Sequence, residues 1–305
     1  MRGPWVVGVL VAGLLLGGCG DPASAPGDPV PAAPRASAPT HQRAPASPAS
    51  PASPAAKPRK APRVLYLGDS LAMENQKVLG QELRRELRAA YTSAPYSGTT
   101  LCDYLEGTAE RSLVPAADKA AALVRRLRPD VVVLQFWGNS WGYTPCMDGI
   151  THDGSPSRYF ARYAADARRL AGQIAAAGHG TGPRIVWVAQ GPDPITPDRV
   201  RRVNALYAQR AAASGGLVAD AGKAVSPDGG RHTWTQYLPC TAFERARPGY
   251  CTQPARDRTA LHRDDDHLHF CLAPTTSRPK PCPVRSPGIL RIVREIVKTV
   301  RQSAR

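Results

Sequence analysis

VLYLGDSLAMEN, residues 64–75, is the stretch on which the fold is decided. Val64, Leu65, Tyr66 and Leu67 make a short apolar run, Gly68-Asp69-Ser70 breaks it, and a helix-like pattern starts at Leu71. Strand, tight turn and helix in that order form half of a βα unit, and the question is whether the unit repeats. It does. Further β-branched runs at 91–96, 131–136, 185–189 and 217–219 give five candidate strands. Between them, residues 71–89, 116–127, 157–177 and 197–213 carry Ala, Leu and Arg at helical spacing. Such alternation is the signature of a parallel sheet covered by helices. A last helix follows Ser286, with Pro287 suited to its first turn. Ile289, Ile292, Val293, Ile296, Val297 and Val300 form one apolar stripe that should dock on the sheet. Residues 226–283 have no clear period and are rich in Pro, Arg, Cys and aromatic residues. One three-layer α/β/α sandwich with a five-stranded parallel sheet, residues 63–305, accounts for the pattern.

Ahead of this domain the composition changes. From Pro22 to Pro62 the sequence is mostly Ala, Pro and Ser, with almost no large apolar side chain to offset the entropy of ordering. It reads as a linker, and about 40 residues at about 3.1 Å each could reach on the order of 120 Å. Before it, Arg2 precedes an apolar stretch from Trp5 to Leu16, too short to span a membrane. LLLGGC then sets two small residues before Cys19, which resembles the lipobox of a bacterial lipoprotein signal peptide. That resemblance implies a signal peptide over 1–18, lipidation at Cys19, a lipid-anchored linker over 19–62 and an extracytoplasmic domain held away from the membrane.

Export changes the reading of the cysteines. Apart from Cys19, six remain, at 102, 146, 240, 251, 271 and 282, an even number in a compartment that permits disulfides. Short separations favour Cys240 with Cys251 and Cys271 with Cys282, leaving Cys102 for Cys146. No Cys-x-x-Cys pair points to zinc. The formal charge is +16, and the arginines are scattered along helix-like stretches rather than gathered in a block. A basic exterior of this kind suits anionic envelope polymers or lipid head groups. Nucleic acid is not expected, because there is no recognisable binding motif and only 6% of residues are aromatic.

Ser70 has two possible employments. Asp69 or Ser70 could simply cap the following helix. Alternatively, a serine at the C-terminal end of a parallel strand lies where open α/β sheets place their ligand crevice, beside free helix N–H groups. A nucleophilic serine needs a base, and the base an orienting acid. HRDDDHLHF, residues 262–270, supplies both, as two overlapping Asp-x-x-His copies: Asp264 with His267, and Asp266 with His269. Donors for an oxyanion are offered by the N–H of Gly98 in SGTT, the side-chain amide of Asn139 in FWGNS and the N–H of Ser70 itself. Such donors are worth roughly 3 to 4 kcal/mol each. The same acids and histidines could bind a divalent cation, but no second cluster stands out to complete a shell, and neither metal nor cofactor is expected.

In this order of residues the chain resembles the SGNH (GDSL-like) hydrolases, named for a Ser, a Gly, an Asn and a His. The resemblance covers residues 63 to about 290. It implies a flavodoxin-like SGNH hydrolase fold, with Ser70 as nucleophile, Ser70, Gly98 and Asn139 as the oxyanion hole, and Asp264 with His267 completing the triad. His269 is the other register for the base. The sequence departs from the family pattern in two blocks: Gly138 directly precedes Asn139 with Ser140 after it, and Ala72, Met73 and Glu74 follow the nucleophile. The implied activity is hydrolysis of an O-acyl ester, with an acylated carbohydrate of the cell envelope or another ester as the expected substrate, and a monomer is expected. Acyl transfer by the same residues is one alternative, and glycan binding without turnover is another. Trp137, Trp141, Tyr143, Trp234 and Tyr237 could stack on sugar rings, line an acyl pocket or pack the loops.

Overall fold

The computed structural model describes residues 60–274 and 280–303. The expected signal peptide, Cys19 and all but the last three residues of the expected linker lie outside them. Strands β1 (Arg63–Gly68), β2 (Ala90–Ser93), β3 (Val131–Gln135), β4 (Arg184–Val188) and β5 (Leu217–Ala219) form one sheet in the order β2-β1-β3-β4-β5. Every pairing in it is parallel. The helices are α1 (Ser70–Leu87), α2 (Ala120–Leu127), α3 (Pro156–Ala177), α4 (Pro197–Ser214), two single turns α5 (Ala221–Ala224) and α6 (Ala242–Arg245), and α7 (Pro287–Ser303). None of the described helices is long and apolar enough to cross a membrane.

Side chains along a strand alternate between faces, and here the two faces build two cores. Leu65, Leu67, Val132, Leu134, Ile185 and Trp187 pack under α2, α3 and α4. Val64, Tyr66, Val131, Val133, Val186 and Val188 pack under α1 and α7, and the stripe expected on α7 is buried there from Ile289 to Val300. Because both faces are covered, the strands read as continuous apolar runs rather than alternating ones. The result is the α/β/α sandwich expected from the sequence.

The departures have local causes. β2 ends at Ser93, although Ala94 and Tyr96 still donate to the carbonyls of Tyr66 and Gly68; Pro95 between them faces the open edge of the sheet, where no N–H is needed. The helix expected over 116–127 starts late. Lys119, 2% exposed, adopts an extended backbone, and its ammonium turns inward to the Asp103 carbonyl and the Ser112 hydroxyl. The region without a period holds a small antiparallel pair, β6 (Tyr237–Pro239) and β7 (Arg258–Ala260). Three residues per strand are too few to show alternation.

The sheet order fixes where a site can form. From β1 the chain passes outward to β2 and then returns to the other side of β1 as β3, so the connections after β1 and β3 part in opposite directions. The crevice beyond those two strand ends is the switch point at which open α/β sheets bind ligands. Gly68 is required there: a Cβ would lie 2.0 Å from the Gln135 carbonyl oxygen and 2.5 Å from the Ala72 methyl.

Candidate active site

In Gly-Asp-Ser the capping bond is made by Asp69 and not by Ser70. Asp69 caps α1, its Oδ1 accepting the Leu71 N–H at 3.1 Å. Its Oδ2 reaches across the crevice and accepts the Trp137 N–H at 2.6 Å and the Asn139 amide at 3.2 Å. This fully buried carboxylate thereby ties the loop after β3 to the turn after β1. Burial pushes its pKa up to about 6, against the pull of those N–H donors. Ser70, the first residue of α1, is left free, and its Oγ lies 2.9 Å from Nε2 of His269.

His269 is oriented from its other side. Its Nδ1 lies 3.0 Å from Oδ2 and 3.2 Å from Oδ1 of Asp266. A carboxylate can only accept, so Nδ1 carries the proton and Nε2 offers its lone pair to the Ser70 hydroxyl. Burial works against the imidazolium, but the hydrogen bond to Asp266 and the charges of Glu74, Asp266 and Asp69 outweigh it and raise the pKa of His269 above its ordinary value. Asp266 moves the other way. Burial would raise it, yet the hydrogen bond from His269 and the backbone donors hold it well below the usual carboxylate range.

The expected pairing of Asp264 with His267 is therefore corrected to Asp266 with His269. Asp264 and His267 are exposed. Asp264 accepts a hydrogen bond from Gln236, and the His267 carbonyl accepts the Trp234 indole N–H at 2.9 Å. Both copies have the same spacing, so the reason lies in what anchors the turn. Asp266 folds it by accepting the N–H groups of Leu268 and His269. Glu74, on α1, takes the N–H groups of Phe270 and Cys271, each at 3.0 Å. His262 Nδ1–H donates to the His269 carbonyl at 3.0 Å. These bonds bring residues 269–271 against the start of α1 and leave His267 out in solvent.

Gly98 and Asn139 line the same cavity as Ser70 and His269. Asn139 is buried, and its amide nitrogen donates to the Thr99 carbonyl at 3.0 Å as well as to Asp69. One side chain thus joins the loops after β1, β2 and β3. Gly138 has φ +96°, and a Cβ there would lie 2.7 Å from the Tyr159 hydroxyl, which donates to the Gly138 carbonyl. That contact explains why glycine directly precedes Asn139 in this chain. The Arg199 guanidinium, paired with Asp193 at 2.7 Å, stacks 3.5 Å above the Trp137 ring and supports the loop from below.

The cavity holds about 220 Å³, and its wall also includes Met73, Glu74, Ser97, Trp141, Tyr143, Leu268 and Lys280. Trp141 and Tyr143 are 38% and 59% exposed at its mouth. The other aromatic candidates pack: Trp137 is buried, Trp234 stacks on His262, and Tyr237 lies under Arg258.

Three disulfides join Cys102 to Cys146, Cys240 to Cys251 and Cys271 to Cys282. The first ties the segments that follow Gly98 and Asn139, and the third closes directly beyond His269. Among the described residues, the clusters with metal-ligand spacing are Cys102, Asp103, Cys146 and Cys240, Cys251, Asp257. Their cysteines are in disulfides and have no thiolate to offer.

No family model matches the chain, and no curated protein matches it. Among solved structures, TesA is 14% identical with a TM-score of 0.46, covering 79% of this chain and 99% of its own. The periplasmic domain of a lipopolysaccharide acetyltransferase from Salmonella ser. Paratyphi A is 12% identical with a TM-score of 0.49, covering 80% and 85%. A carbohydrate esterase with divergent catalytic and non-catalytic binding functions is 13% identical with a TM-score of 0.34, covering 53% and 59%.

Proposed function

We propose that this protein is a serine esterase that cleaves a short O-acyl group from a carbohydrate, with Ser70 as nucleophile, His269 as base and Asp266 as its orienting acid. One observation carries the reading: the hydrogen-bonded chain from Ser70 Oγ through both nitrogens of His269 to Asp266. A serine hydroxyl is a weak nucleophile until a neighbouring base can take its proton. As Oγ attacks the ester carbonyl, His269 Nε2 accepts that proton, and the imidazolium formed is balanced by Asp266. The carbonyl oxygen gains charge as the tetrahedral intermediate forms. Ser70 and Gly98 offer backbone N–H groups to it, and Asn139, already oriented by Thr99, shares the hydrogen it gives to Asp69. His269 then protonates the leaving alkoxide, and water, activated in the same way, releases the acyl group from Ser70.

The size of the cavity supports a short acyl group, since about 220 Å³ is below the roughly 300 to 1,000 Å³ of ordinary small-molecule pockets. The exposed rings of Trp141 and Tyr143 supply apolar faces for a sugar at its mouth. The three disulfides support a compartment outside the cytoplasm, in keeping with anchorage at Cys19.

A fluorophosphonate probe followed by intact-mass analysis tests the assignment. A single adduct on Ser70 is expected, absent in Ser70→Ala and slowed by about 10⁴-fold or more in His269→Ala. His267→Ala should label at close to the parent rate. The reverse pattern for the two histidines would overturn the register, and no adduct on the folded parent would overturn the esterase reading.

A further inference from the structure

Glu74 is the least expected group in the site. It stands four residues after Ser70, on the same face of α1, and is only 2% exposed. A buried carboxylate is costly unless its oxygens are satisfied. Among the described residues no Lys or Arg forms an ion pair with it; its partners are backbone N–H groups from the far end of the chain. Oε1 accepts from Phe270 and Oε2 from Cys271, while the Glu74 carbonyl accepts the Cys282 N–H at 3.1 Å. Both halves of the Cys271–Cys282 disulfide therefore hang on this one residue. The residue before Phe270 is the base.

We propose that Glu74 is a positioning residue for the esterase reaction: as a carboxylate it clamps the turn carrying His269 onto the helix carrying Ser70. The same negative charge then stands beside the imidazolium as it forms. The inference rests on the esterase reading for its kinetic consequence, although the clamp itself does not. Two carboxylate oxygens match two adjacent N–H donors, and an amide of the same size has one oxygen and presents an NH₂ group to the other donor. Burial raises the pKa of Glu74 to about 7 even against the pull of His269 and the two N–H donors, so it is these donors and the imidazolium that favour the carboxylate form. The other titratable or charged groups facing this pair are Asp266 on the same turn, Asp69 at the head of α1, Tyr66 on β1, His262 just past β7, and Lys280 in the cavity wall.

Glu74→Gln in the full chain tests the clamp. The expected result is a kcat lower by about 10- to 100-fold, the effect of misplacing a catalytic group by about an ångström, with KM within about twofold. The acid limb of the kcat/KM profile should move to lower pH by about half a unit or more, because one negative charge near the imidazolium is gone. A residue that only held the fold together would lower stability without moving that limb. Glu74→Asp keeps the charge and loses the reach, so it should lose kcat and retain more of the parent's limb. It also serves as the second variant should the glutamine form not fold. Parent kcat and an unmoved limb in Glu74→Gln would overturn the proposal.

An NMR titration of the His269 imidazole in parent and variants separates the two readings. If the parent cleaves no ester, the esterase reading fails, but a lower imidazole pKa in Glu74→Gln still supports the clamp and its charge. An identical titration would overturn it.

Discussion

Burial alone would make His269 a weaker base, since a desolvated imidazolium loses its hydration, yet the carboxylates of Asp266, Glu74 and Asp69 raise its pKa above 6.5. The sign for activity follows. Catalysis needs the neutral imidazole, so a raised pKa leaves more than half of the sites protonated and inactive at pH 6.5. The acid limb of kcat/KM should therefore lie above 6.5, and a pH–rate profile measures it directly. A limb below 6.5, or a flat rate from about pH 5 to 8, would count against His269 as base. Asp266→Asn should lower kcat by about 10³- to 10⁴-fold, since an amide can present NH₂ to Nδ1 and favour the wrong tautomer. That Ser70, Gly98 and Asn139 would line one cavity was legible, because each stands two or three residues after a candidate strand. The base register was not, because two Asp-x-x-His copies overlap and the choice is made by distant backbone contacts. Glu74 had no local signature as a clamp at all: the N–H group it holds through Oε1 belongs to a residue 196 positions away.

At the scale of elements, the loops beyond β2 and β3 hold Gly98 and Asn139, the proposed oxyanion donors, and the Cys102–Cys146 bridge ties them over a separation of 44 residues. Closing a loop of that length is worth about 4 kcal/mol in the chain-entropy model, against about 3 kcal/mol for the two bridges that each span 11 residues. Both sulfurs of the longer bridge are buried in the core under α2 and α3. Replacing Cys102 and Cys146 by serine should thus cost at least the loop term in urea unfolding, and should lower kcat as Gly98 and Asn139 lose their mutual support. A loss below about 1 kcal/mol would show that the bridge is incidental to the fold. The five strands and the long helices could be read from periodicity, because each has a face to bury. Elements set by distant contacts could not: the inward turn of Lys119 and the β6–β7 pair depend on tertiary partners that no local pattern announces.

Over the whole molecule, sequence alternation implied a parallel sheet but not its order, and it is the order β2-β1-β3-β4-β5 that opens the crevice at Ser70. Charge, by contrast, is a property the sequence states outright. The chain carries 40 Lys and Arg against 24 Asp and Glu, and many carboxylates in the described domain are already engaged by arginines, as in Asp148 with Arg111 and Arg162 or Glu244 with Arg291. The surplus cations give the surface a positive field that attracts polyanions from beyond contact range. If the substrate is an acylated anionic polysaccharide, as this balance suits, association is steered, and steering is screened once the Debye length shrinks to about 8 Å at 0.15 M salt. Raising salt from about 0.02 to about 0.3 M should then reduce kcat/KM on an O-acetylated acidic polysaccharide several-fold, through KM. Hydrolysis of a small neutral ester such as p-nitrophenyl acetate should change by less than about twofold over the same range, because nothing about it is steered. Equal salt dependence for the two substrates would place the effect in the catalytic groups. No dependence in either would leave the excess of arginine without a role in substrate capture.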